Sequence, residues 1–212
     1  MSDLTLEKLA KLAKLKEFLA SSSSSSGILI KARIQKDPGS SAGMTEYPDP
    51  NPHADSESYR LAKSYILRLL VRREYSIHEI KNKLEQKGYE ESVITAIVAE
   101  FQNNNWQSDT RCATMWLKNG VYLGHGPNKI LAQMYSKGVS QEMANHILKN
   151  LELSIENCDP SCFWQELAIT VARKKFGENC QKNNFQIKAK IQRFLYNRGF
   201  ETNHIHYVIK YL

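Results

Sequence analysis

Clustered lysines and arginines are the residues of this chain best suited to chemistry, and the chemistry they offer is neutralisation of a polyanion. Arg173, Lys174 and Lys175 are consecutive, and Lys188, Lys190 and Arg193 follow shortly after. Arg68, Arg72 and Arg73 close an apolar run, while Lys118 and Lys129 stand in the middle of the chain. A protein cation that replaces a condensed counterion on nucleic acid releases that ion, which gives affinity and makes it depend on salt. Arg68 and Arg72, four residues apart, would share one face of a helix. The same residues have a plainer use, because cations in the last turn of a helix complement its dipole for a few tenths to about 1 kcal/mol.

Other reactive residue types form no constellation. Cys112, Cys158, Cys162 and Cys180 have irregular spacings with no C-x-x-C pair, a poor pattern for zinc or a disulfide framework, so they read as free buried thiols. His78, His125, His146, His204 and His206 are scattered and pair with no Asp and Ser or Cys in a nucleophile setting, so they read as surface histidines. The carboxylates lack a catalytic pair, and Gly124-His125-Gly126 is too short for a phosphate loop. These absences point to a protein that is not an enzyme and holds no metal and no cofactor. Trp106, Trp116, Trp164, Tyr122 and Tyr135 could stack on bases. Trp116 and Trp164 fall at apolar positions of helical patterns, where core packing is the expected use.

Where the charge sits narrows the partner. Residues 1–57 carry 7 basic and 8 acidic side chains, net −1, whereas residues 58–212 carry 22 and 14, net +8. Residues 157–212 alone hold 9 basic against 4 acidic residues. A positive segment of this kind suits an anionic partner, nucleic acid above all. With 42% hydrophobic and 24% charged residues the chain has the composition of a folded soluble protein. It contains no stretch of 18 apolar residues and no short apolar core followed by a small-residue cleavage site, so a cytoplasmic protein with no membrane contact is expected.

The elements that must position the cations come from a repeat. Gly88, Gly138 and Gly199 each follow a basic residue (Lys87, Lys137, Arg198) and precede an apolar one (Tyr89, Val139, Phe200). Eight residues earlier stand Ile80, Ile130 and Ile191, and four earlier Leu84, Met134 and Leu195. Nine later come Ile97, Ile147 and Val208, and thirteen later Phe101, Leu151 and Leu212. Spacing of four, then a glycine, then apolar pairs describes a helix, a left-handed cap and a second helix. A further amphipathic pattern precedes each pair, around Leu61–Leu70, Cys112–Leu117 and Phe163–Val171. The predicted fold class is therefore all-α: three tandem three-helix bundles over 58–105, 106–156 and 157–212. Bundles this small need neighbours, so an elongated, slightly curved, monomeric rod is expected. The glycine separations, 50 and 61 residues, place an insertion in the third bundle around Gly177–Asn184. Residues 1–57 read as a largely disordered extension, with Ser21–Ser26, four prolines between Asp37 and Asp55, and a short amphipathic helix over Leu4–Leu19.

Over residues 58–212 the sequence resembles the RecX family. Tyr59-Arg60-Leu61-Ala62, Leu69 to Ser76, Glu79-Ile80 and Lys87-Gly88-Tyr89 are similar to that family's opening repeat. Asp109 with Arg111-Cys112-Ala113, then Gly124 to Ile130 and Lys137-Gly138-Val139, are similar to its second. The resemblance implies tandem three-helix repeats and a non-catalytic regulator of DNA recombination, repair and the SOS response. Such a protein would bind RecA recombinase assembled on single-stranded DNA, with duplex DNA as a further partner, and restrain the recombinase, ATPase and coprotease activities. The residues alone also allow a helix-turn-helix protein on duplex DNA, for which helix pairs joined at glycine turns are suggestive. Against that, Glu90-Glu91 and Gln141-Glu142 would open recognition helices with acid.

Overall fold

The computed structural model describes residues 56–153, 160–177 and 185–211, which form nine α-helices and no strand among them. In chain order these are α1 (Glu57–Leu70), α2 (Ile77–Glu85), α3 (Glu91–Asn103), α4 (Asp109–Tyr122), α5 (Pro127–Ser136), α6 (Gln141–Leu153), α7 (Pro160–Phe176), α8 (Phe185–Asn197) and α9 (Thr202–Tyr211). The all-α class and the three-helix repeats expected from the glycine pattern are therefore present. The short helix expected near the N-terminus and the insertion after Gly177 lie outside the described residues. The chain divides into two compact units, Met1–Cys112 and Ala113–Leu212, the division falling within α4.

Local chemistry explains why the helices start and stop where they do. Ser56 accepts from Tyr59 N at the start of α1. Ser76 opens α2 with a full capping box: its Oγ accepts from Glu79 N, and the Glu79 carboxylate accepts from Ser76 N. Pro127 stands in the first turn of α5, where its missing N–H costs nothing. All three repeat glycines have left-handed φ, +78° at Gly88, +76° at Gly138 and +83° at Gly199. The same long-range turn bond follows each, from Tyr89 N to Leu84 O, Val139 N to Met134 O and Phe200 N to Leu195 O, at 3.1–3.2 Å. Three turns closed by one bonding pattern are the geometric form of the sequence repeat.

In the first unit α1, α2 and α3 enclose Tyr59, Ile66, Leu70, Ile80, Leu84, Ile94, Ile97 and Phe101, all nearly inaccessible to solvent. Asn105, with φ +54°, ends α3 as glycine does elsewhere. The residues that follow then tie back to the first bundle. Asp109 Oδ1 accepts from Ile77 N at 2.9 Å, and Gln107 Nε2 donates to Tyr75 O at 3.0 Å. Arg111 Nε donates to the buried Glu74 carboxylate at 2.9 Å, and its two terminal nitrogens donate to Asn105 Oδ1 and Trp106 O. Asp109 and Arg111 are thus bracing residues. Beside them the Cys112 thiol is fully enclosed and is pushed up to about 12 by burial, then by Glu79 and Asp109, so it stays protonated and inert.

The second unit has its own core, including Ile130, Met134, Trp164, Ala168, Ile191, Leu195, Phe200 and Val208. Its two glycine-rich segments meet backbone to backbone. Gly126 N donates to Arg198 O at 2.8 Å and Asn128 N to Gly199 O at 3.1 Å, so the turn before α9 satisfies open donors at the start of α5. A Cβ on Gly126 would fall inside the Gly199–Phe200 peptide, and one on Gly199 inside Lys129.

Two sequence expectations are corrected. Cys162 is not a free thiol but disulfide-bonded, and among the described residues Cys112 is the free one. Spacing could not reveal this, because a disulfide needs spatial and not sequential proximity. His204 is not a surface residue but 2% exposed, its Nδ1 accepting from Glu201 N at 3.3 Å. It thereby does for α9 what Glu79 does for α2.

Candidate nucleic-acid interface

The second unit gathers most of the cations singled out above. Arg173, Lys174 and Lys175 are exposed in the last turn of α7. Phe176, next in the chain, meets Phe194 of α8 edge to face at 5.5 Å between centroids. That contact sets the basic end of α7 against the second half of α8. Lys190 and Arg198 flank Phe194 at four residues either way, which puts them on its side of the helix path, and the Arg198 guanidinium lies 5.2 Å from the Phe194 ring centroid. Arg198 Nη1 in turn donates to Leu123 O at 2.6 Å, and Gly199 lies against Lys129. A positive region therefore runs from Arg173–Lys175 past Phe194 to Arg198 and Lys129.

The electrostatics of His125 report the same gathering of charge. Its imidazole is held below the ordinary value of 6.5 by desolvation first, and then by Lys129 and Arg198. Two cations near enough to discourage a third proton create the potential that attracts a phosphate.

The remaining predicted residues divide by environment. Arg193 is exposed on α8, while Lys188 is half-buried on the same helix and Lys118 half-buried on α4. Arg68 and Arg72 are exposed in the first unit, and Arg68 Nε donates to Ser64 O at 3.3 Å within its own helix. Arg73 is otherwise committed. It grips both oxygens of Glu79 at 2.9 and 3.1 Å, donates to Glu74 O at 2.8 Å, and stacks 3.6 Å from the Tyr75 ring centroid. Such a fork-to-fork pair leaves little of the guanidinium for a ligand.

The aromatic residues sort the same way. Trp164 is buried, Trp106 packs edge to face on Phe101 at 5.2 Å, and Lys137 lies over Trp116. Tyr122 is 76% exposed and Tyr135 only marginally so. Sequence reading missed two residues of this surface, Arg198 and His125, and also Tyr196, which is exposed on another stripe of α8. Arg198 was visible only as the basic neighbour of a repeat glycine. Tyr196 had one available signal, its place three residues before that glycine on the outward side of the helix. Among the described residues no group of three or more His, Cys, Asp or Glu could hold a metal, and no helix is long and apolar enough to cross a membrane.

Comparison with known proteins bears on the same segments. Residues 62–101 match the model of the first three-helix domain of RecX, and residues 165–209 that of the third. Curated relatives called Regulatory protein RecX include one from Haemophilus influenzae (strain PittEE), 33% identical over 144 residues, which are 68% of this chain and 89% of that protein. Another, from Pasteurella multocida (strain Pm70), is 32% identical over 149 residues, 69% of this chain and 85% of that protein. Among solved structures, RecX from Lactobacillus salivarius aligns with a TM-score of 0.63 at 19% identity, covering 74% of this chain and 97% of that one. A second crystal structure, of regulatory protein RecX, aligns at 0.60 and 17% identity over 87% and 85%. These two support the fold.

Proposed function

The chain belongs to the RecX family of regulatory proteins, and from that membership we propose that it binds RecA recombinase assembled on single-stranded DNA and restrains it. It acts by binding and not by catalysis, in the cytoplasm and as a monomer. The observation that carries the DNA part of this reading is the positive region of the second unit, where Lys129, Arg173, Lys174, Lys175 and Arg198 are brought together by the Phe176–Phe194 and Gly126–Gly199 contacts. A nucleoprotein filament presents phosphates along its length, and a surface with this excess of cations meets it with favourable potential. Residues 58–105, 106–156 and 157–212 then serve as the three repeats of the docking body. Sequence-specific reading of duplex DNA is disfavoured by the acidic openings of α3 and α6, at Glu90-Glu91 and Glu142.

The test is RecA-catalysed ATP hydrolysis over single-stranded DNA, measured with and without an excess of the chain. The expected result is a lower steady-state rate that deepens with concentration. Equal rates at saturating protein would overturn the reading.

A further inference from the structure

An open groove of about 440 Å³ runs between α8 and α9, lined by Ala189, Gln192, Arg193, Tyr196, Thr202 and Ile205. Its volume falls within the roughly 300–1,000 Å³ of sites that take small organic groups. Four of the lining residues, at 189, 192, 193 and 196, recur at i, i+3, i+4 and i+7, so they form one stripe of α8. Phe185 extends the stripe by one further turn.

The chemistry along this stripe is unusual for a protein surface. Tyr196 is 72% exposed and Phe185 85% exposed, whereas the opposite side of α8 buries Ile191 and Leu195. Between the two aromatics stands Arg193, exposed and with no ion-pair partner among the described residues. From Phe185 to Phe200 the chain carries Lys188, Lys190, Arg193 and Arg198 and no carboxylate. Two exposed aromatics with an arginine between them along one stripe suit a strand of unpaired bases, since any base can stack and the arginine can meet a phosphate. An amphipathic peptide fits less well, because it needs a continuous apolar groove and three of the six lining residues here are polar or charged. A paired base cannot offer its face at all.

The repeat supplies an internal control. Three residues before the glycine the three repeats carry Glu85, Tyr135 and Tyr196, and six before it Asn82, Ala132 and Arg193. The backbone turn is the same in all three, yet only the third joins an aromatic to a cation on this stripe. Its presence there is therefore not a requirement of the fold.

We propose that the α8–α9 groove binds an unpaired nucleotide of single-stranded DNA, with the base stacked on Tyr196 and the phosphate held by Arg193. Gln192 and Thr202 supply side-chain amide and hydroxyl groups at the edge of the groove, able to bond any base without selecting one. This rests on the reading that the chain meets single-stranded DNA inside a recombinase filament, and it names the residues that touch the DNA.

The experiment titrates fluorescently labelled oligothymidylate with the full chain, with Tyr196→Ala, with Tyr196→Phe and with Arg193→Gln, and follows anisotropy at several salt concentrations. RecA-dependent ATP hydrolysis is measured in parallel, and thermal unfolding checks that the variants fold. Tyr196→Ala should lose affinity on the order of tenfold while Tyr196→Phe stays within about twofold of the parent. Arg193→Gln should flatten the slope of log affinity against log salt by about 0.7, the value for one phosphate on a single strand. No affinity of the parent chain for oligothymidylate, or equal affinity of Tyr196→Ala and the parent, would overturn the groove assignment. So would a Tyr196→Ala defect confined to RecA binding without DNA, which would make the occupant a protein. Oligothymidylate binding by a parent chain that leaves RecA hydrolysis unchanged would keep the groove and remove the regulatory reading, whereas slowed RecA hydrolysis by a parent chain with no affinity for oligothymidylate would do the reverse.

Discussion

Protonating His204 would place a charge in a nearly closed site and remove the lone pair that accepts from Glu201 N. Burial lowers its pKa from 6.5, with Glu201 opposing, and His125 is lowered as well. For a depressed pKa the unfolded chain takes up the proton first, so the stabilisation is complete above 6.5 and is lost as pH falls through the lower folded-state value. The urea midpoint should therefore fall between pH 7.5 and pH 5. His204→Gln, which keeps an acceptor at the third helical position, should retain most of the stability at pH 7.5 and reduce that fall; an unchanged acid dependence would exclude His204 as its source. Arg73 allows a second check at this scale. Losing its bidentate grip on the mostly buried Glu79 should cost about 1 kcal/mol in Arg73→Ala, read by urea unfolding, with DNA affinity unchanged. The Ser76–Glu79 box was legible because it is local in sequence. Arg73's partnership was not, since it spans a helix start, and the burial of His204 depends on neighbours that no local pattern names.

Helices and their turns were the most legible level, because a left-handed cap leaves a glycine with fixed apolar neighbours and the pattern recurs three times. What the pattern could not convey is that the third turn docks on the start of α5. That contact is made by backbone atoms and by the absence of side chains at Gly126 and Gly199, so Gly126 stood out only within a Gly124-His125-Gly126 run too short for a phosphate loop. Three alanine substitutions separate the two uses of glycine. Gly88→Ala meets open space and bears only the cost of positive φ, about 1 kcal/mol. Gly126→Ala has ordinary φ and bears only the collision, roughly 1–3 kcal/mol. Gly199→Ala bears both, and thermal unfolding should rank it the most damaging of the three. If Gly199→Ala were no worse than Gly88→Ala, the backbone docking would be discounted.

For the molecule as a whole, net charge is what the sequence states clearly and the grouping of that charge is what only the fold supplies. Lys129 and Arg198 are far apart in the chain and meet because two turns interlock, while Arg173–Lys175 reach the same region through one aromatic contact. The cysteines illustrate the opposite failure, since Cys162 pairs by proximity that spacing did not reveal. Replacing Arg173, Lys174 and Lys175 together with alanine should weaken filament binding and leave the thermal unfolding temperature nearly unchanged, because all three are exposed. The most direct trial of the account is the affinity of the chain for RecA filaments on single-stranded DNA, measured across a range of potassium chloride concentrations for the parent and this triple variant. The parent should bind less tightly as salt rises, along a straight line in log–log form, and the variant should bind more weakly with a slope shallower by about 2. An affinity indifferent to salt, or identical lines for the two proteins, would contradict it.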